Sequence, residues 1–227
     1  MMNLNWQTIK DELFGGWKAF EVVWLLIFLA AQIWAYTQSD DSWLAMISGI
    51  SGILCVVFVS KGKISNYLFG LIFAYTYFYV SLQANFLGEM NTTLYVYIPA
   101  QFIGYFMWKE NLQKDQGGTE AVISKTLTPQ GWGILLAFIA IGTLLFVQVL
   151  NYYGGSSTGL DGLTTIIVVA AQLLMILRYR EQWVLWIVLN ILSIVLWSET
   201  PAMYLMYSAY LLNSLYGYYN WTKLTKQ

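Results

Sequence analysis

Trp183, Trp186, Asn190, Ser193 and Trp197 are spaced by three, four, three and four residues, which places them on one face of a helix. The residues between them are Val, Leu and Ile. A stripe of indoles with a carboxamide in its middle, on an otherwise apolar helix, suits a flat polar ligand. Indole faces stack on flat rings and favour cationic ones. The amide supplies two donors and an acceptor. Two further carboxamides, Gln101 and Asn213, fall near the middle of other apolar stretches. A polar group in hydrocarbon is costly unless bonded. Three amides at similar depth therefore read either as one ligand site or as glue between helices, worth about 1 kcal/mol per bond.

Covalent and metal chemistry is poorly provided for. There is no histidine, and the single cysteine, Cys55, lies in an apolar run, so neither an internal disulfide nor a Cys/His metal site is available. Ser193 and Ser208 have no candidate base beside them, and no Lys or acid falls at mid-depth of an apolar stretch. That pattern disfavours a membrane enzyme and a carrier coupled through ionisable groups. A sodium site made of carbonyls and hydroxyls stays open. No cofactor is expected. A net charge of -1 gives no basic balance for nucleic acid.

The elements that must position these residues are membrane helices. The chain of 227 residues is 58% hydrophobic and 10% charged, where soluble domains carry about 25% charged residues. Mean hydropathy is +0.56. A span needs roughly 20 mostly apolar residues, which predicts an all-α integral membrane protein with eight spans: Trp17–Tyr36, Trp43–Ser60, Ile64–Gln83, Asn91–Trp108, Pro129–Tyr152, Asp161–Leu177, Trp183–Ser198 and Pro201–Trp221. Residues Met1 to Gly16 lack a short apolar core with a cleavage site, so the first span reads as retained. Lys109–Thr128 reads as a polar cytoplasmic linker, and Thr128-Pro129 as a capped helix start. Pro99, inside the fourth span, predicts a kink and a freed carbonyl near Gln101. The eleven Lys and Arg all fall at alternate loops and at the two termini, which by the positive-inside rule puts both termini in the cytoplasm.

An internal repeat is legible. The fourth span ends Gly104-Tyr-Phe-Met-Trp108 and the eighth Gly217-Tyr-Tyr-Asn-Trp221; the turn Lys61-Gly-Lys63 matches Arg178-Tyr-Arg180. Spans two to four thus correspond to spans six to eight, in parallel, with span five connecting them. The expected organisation is 1–42 tail and extra helix, 43–112 first triplet, 113–160 linker and connecting helix, 161–227 second triplet. This alignment sets Asn66 and Phe69 in the places of Trp183 and Trp186. Trp17, Trp43, Trp108 and Trp221, at span ends, read as interface anchors.

With Trp183-x-x-Trp186-x-x-x-Asn190, Gln101 and the three-one-three plan behind an extra N-terminal helix, the sequence resembles the PnuC family of bacterial vitamin transporters, near its nicotinamide riboside branch. The resemblance covers spans two to eight. It implies a fold similar to the SWEET sugar transporters, a homotrimer in the bacterial inner membrane, and facilitated diffusion of nicotinamide riboside, which a cytoplasmic kinase then traps. It further implies that Trp183 and Trp186 line or stack on the pyridinium, and that Asn190, Gln101 and Asn213 bond the carboxamide and hydroxyls. Trp197, at the outer end of the stripe, is placed to close the site from that side. The chain departs from the wider SWEET group in having no Pro-Gln pair in spans two and six, where Cys55 and Gln172 stand instead. Another flat vitamin, thiamine or riboflavin, and a non-transporting membrane receptor or subunit are the alternatives.

Overall fold

The computed structural model describes residues 6–38, 42–83, 87–114, 120–152, 159–196 and 201–225. The chain is mostly helical. In order it forms α1 (Trp6–Phe14), α2 (Ala19–Thr37), α3 (Trp43–Ser60), α4 (Asn66–Gln83), α5 (Leu87–Thr92), a π-helical segment (Thr93–Tyr97), α6 (Ile98–Lys109), strands β1 (Leu112–Lys114) and β2 (Glu120–Val122), α7 (Pro129–Tyr152), α8 (Gly159–Ile176), α9 (Gln182–Leu196) and α10 (Pro201–Leu224). Two compact units result: 1–124 with 219–227, and 125–218.

Local chemistry sets the helix starts. Ser42 accepts from the Ala45 N–H at 3.3 Å to open α3, and Thr128 accepts from the Gly131 N–H at 3.1 Å to open α7, with Pro129 in its first turn. Among the described residues α2, α3 and Pro129–Val149 of α7 are long and apolar enough to cross a membrane. Most of α2 and α7 is unburied, exposing Leu26, Ile27, Ile134, Leu136, Ile141, Leu144 and Leu145. Such faces are intolerable in water and suit lipid. α4 and α8 have 18 residues and α10 has 24, so each is also of bilayer length, though α4 and α10 are less apolar.

The linker carries a small antiparallel pair, with Leu112 opposite Val122. Val122 is buried and donates its N–H to the Gly62 carbonyl at 2.8 Å. Pro99 lies just after the π-helical segment, where the Ile98 N–H reaches back five residues to Thr93. The proline has no N–H to give, and the helix absorbs the misfit by widening rather than by breaking.

In the first unit, α1 sits on the α3–α4 turn. Lys63 Nζ donates to the carbonyls of Asp11 and Glu12, and the Glu12 carboxylate accepts from the Ser65 N–H at 2.9 Å. Lys61 Nζ donates to the Gly16 carbonyl at 2.9 Å and pairs with Glu21, both residues being buried. Glu21, in the first turn of α2, is a buried acid that composition did not single out.

Two of the four tryptophans expected at an interface are instead core residues. Trp108 and Trp221 are fully buried, 5.5 Å apart between ring centroids, with Trp108 edge-on to Tyr67. The Trp221 N–H donates to the Val59 carbonyl at 2.8 Å. A ring with an internal hydrogen-bond partner has no need of the headgroup region, which is why the span-end position misleads here. Trp17 is half-buried against Phe58, with Lys61 over its ring, while Trp43 is exposed.

In the second unit, Leu135 of α7, Ile167, Ala170, Ala171 and Leu174 of α8, and Leu185 and Leu189 of α9 form one apolar cluster. Its small residues are on α8, which lets the helices approach closely.

Candidate functional site

The turn that delivers α9 matches the turn that delivers α4 bond for bond. Gly62 and Arg178, 116 positions apart, both have left-handed backbone, φ 69° and 67°. Around Gly62, the N–H of Lys63 donates to Phe58, that of Asn66 to Lys63, and that of Tyr67 to Ile64. Around Arg178, the N–H of Tyr179 donates to Leu174, that of Gln182 to Tyr179, and that of Trp183 to Arg180. Each turn also receives a linker N–H on its left-handed carbonyl, Val122 on Gly62 and Lys125 on Arg178. Burial holds the Arg178 guanidinium below its ordinary value, with Tyr179 opposing.

This register corrects one expectation. Tyr67 and Gly70, not Asn66 and Phe69, stand where Trp183 and Trp186 stand. Aligning Lys61-Gly-Lys63 on Arg178-Tyr-Arg180 misplaced the pairing by one residue, because the left-handed position is a glycine in one turn and an arginine in the other. Packing follows the corrected register. A Cβ on Gly104 would run into the Tyr67 ring, and a Cβ on Gly217 would lie 2.6 Å from carbons of the Trp183 ring.

On α9 the stripe divides. Trp183 is buried in the Gly217 notch of α10. Trp186 is half-buried against the apolar cluster. Asn190 is buried, and its Nδ2 donates to Ser214 Oγ at 3.1 Å; Ser214 in turn donates to the Tyr210 carbonyl at 2.8 Å. Asn213, the neighbour of Ser214, is also buried. So α9 and α10 bring Trp183, Asn190 and Asn213 to one helix pair, with Trp186 on the same α9 stripe. The Ser193 side chain and Trp197 lie outside the described residues.

Gln101 belongs to the first unit. It is buried on α6, its side chain fills the notch at Gly70 of α4, close to Cys55, and its Oε1 meets no donor among the described residues. An acceptor left bare in an apolar interior is an unmet demand for a donor. Gln172, on α8, is buried, with its amide 3.8 Å from Met175 Sδ.

Among the described residues no group of three His, Cys, Asp or Glu could hold a metal. What these surfaces offer is flat apolar walls and neutral hydrogen-bonding groups.

A family model described as nicotinamide mononucleotide transporter matches residues 42–223. The chain belongs to this family. It is 75% identical over 219 residues to the nicotinamide riboside transporter PnuC of Haemophilus influenzae, covering 96% of each chain. It is 49% identical to the protein of that name from Neisseria mucosa, covering all of this chain and 89% of the relative. A solved structure, described as the crystal structure of the vitamin B3 transporter PnuC, is 48% identical, with a TM-score of 0.87 and 98% coverage of both chains.

Gln182, which the sequence reading passed over, is fully buried at the start of α9, and neither end of its amide has a partner among the described residues. Its spacing to Trp186 and Asn190, four and eight residues, was available as a signal.

Proposed function

We propose that the chain carries nicotinamide riboside across the bacterial inner membrane, by facilitated diffusion with alternating access. Eight spans, arranged as an extra helix and two parallel triplets around a connector, form the transport unit, with both termini in the cytoplasm and three copies in the assembly. The matching turns at Gly62 and Arg178 support the repeat. The relatives at 75% and 49% identity bear the riboside's name.

The observation that carries the substrate assignment is the α9 stripe: a half-buried indole at Trp186, with a buried, hydrogen-bonded carboxamide at Asn190. Trp186 stacks on the cationic pyridinium. Asn190, Asn213 and Gln101 supply hydrogen bonds to the carboxamide and the ribose. Trp183 lines this wall and Trp197 closes its outer end. The family description names the mononucleotide, whereas the close relatives name the riboside. The riboside is favoured because the named contact residues are all neutral. A phosphate would enter without a cation and would lose its hydration uncompensated. Phosphorylation after entry therefore removes the product from the equilibrium, which drives uptake without a coupling ion.

The test is calorimetric titration of the purified protein with nicotinamide riboside and, in parallel, with the mononucleotide. Saturable one-site binding of the riboside and little of the mononucleotide is expected. Folded protein silent to the riboside sinks the assignment, and thiamine or riboflavin would be titrated next.

A further inference from the structure

Gln182 is the first residue of α9, and it is fully buried. Both Nε2 and Oε1 lack hydrogen-bond partners among the described residues. Leaving both ends of an amide unpaired in the interior costs more than any other arrangement of that side chain. The equivalent position in the first unit is Asn66, also fully buried, and there the amide is used locally: Nδ2 donates to the Lys63 carbonyl at 2.6 Å. The carbonyl in the corresponding place is that of Tyr179, which accepts the Gln182 N–H just as Lys63 accepts that of Asn66. Gln182, one methylene longer, makes no such local bond. The same kind of group at the same place in two matching turns is thus tied down through its nitrogen in one, with Oδ1 of Asn66 unpartnered among the described residues, and left open at both ends in the other.

Gln182 lies four residues before Trp186 and eight before Asn190, so the three fall along one side of α9. Gln182 is at the polar end of that side, next to the Arg180–Glu181 ion pair. Trp186 sits on the apolar cluster. A ligand made of a flat ring and a sugar has the same polarity gradient. We infer that Gln182 is a specificity residue for the transported nucleoside, pairing its amide with the vicinal hydroxyls of the sugar while Trp186 holds the ring. One hydroxyl donates to Oε1 and the other accepts from Nε2. A site built to bond hydroxyls rejects ligands that lack them far more sharply than an apolar pocket does.

The inference rests on the riboside reading, and the test separates the two. Wild type, Gln182→Leu and Gln182→Asn are titrated with nicotinamide riboside and melted without ligand. Gln182→Leu keeps the volume and removes both polar ends. Affinity at least tenfold weaker, with Tm unchanged or raised, is expected, because an unpaired buried amide has been removed. Gln182→Asn keeps the chemistry with a shorter reach and should also bind at least tenfold more weakly; it decides the matter if the leucine variant does not fold. Wild-type affinity in either folded variant overturns the inference while leaving the riboside reading intact. No binding by wild type overturns the riboside reading and this inference together.

Discussion

Trp183 fills the notch left by Gly217: a Cβ at that glycine would lie 2.6 Å from two carbons of the indole six-membered ring. The aromatic ring of α9 is thereby keyed into α10, and Tyr67 is keyed into Gly104 of α6 in the same way. Neither ring can retreat, since both are almost fully buried. Gly217→Ala and Gly104→Ala should therefore each destabilise by about 1–3 kcal/mol through overpacking. Gly133, on α7, has nothing among the described residues within 4 Å of its Cβ position. Gly133→Ala should be neutral or gain about 0.5–1 kcal/mol from reduced chain entropy. Thermal unfolding of the three variants in one detergent gives the order; equal Tm for Gly217→Ala and Gly133→Ala removes the keyed-ring account.

The same contact separates the two tryptophans of the stripe. Trp183→Ala empties a packed notch and should cost about 3–5 kcal/mol. Trp186 is half-buried and available to a ligand. Trp186→Ala should lose riboside binding by more than tenfold with a smaller fall in Tm. Titration and melting of both variants check this, and unchanged affinity in Trp186→Ala would end its stacking role.

Glu21 and Lys61 form a buried ion pair that ties α2 to the end of α3. Breaking one side leaves an uncompensated buried charge, worth about 3–5 kcal/mol. Glu21→Gln and Lys61→Met should each lower Tm markedly, and the double substitution should recover most of the loss. A double-mutant cycle with strictly additive effects would show that the two do not depend on one another.

Gly62 has φ 69°, and its Cβ position is 2.8 Å from Leu224. Gly62→Ala should destabilise through backbone strain of about 1–2 kcal/mol and through that collision. At Arg178 the same conformation is carried by a side chain, so Arg178→Ala leaves the strain unchanged. A Tm for Gly62→Ala at the wild-type value would show that the turn relaxes.

Hydropathy made the helices legible: α3 and α7 begin and end where the apolar runs do. The start of α7 was readable from Thr128-Pro129 because cap chemistry is local. The tryptophans were not, since an indole at a span end looks the same facing headgroups or facing Val59. The repeat register was off by one because basic residues were matched, whereas the backbone matches left-handed positions. The spacing of Gln182 to Trp186 and Asn190 was legible in the sequence, whereas the bonds its buried amide does not make show only in the fold.

Trp108 and Trp221 bring the ends of α6 and α10 together with their indoles 5.5 Å apart and tilted by 57°. Chromophores that close and that inclined share their excitation, so the pair is an optical ruler already present in the native chain. Near-ultraviolet circular dichroism should carry its signature, and the signal should change whenever those two helix ends separate during a transport cycle.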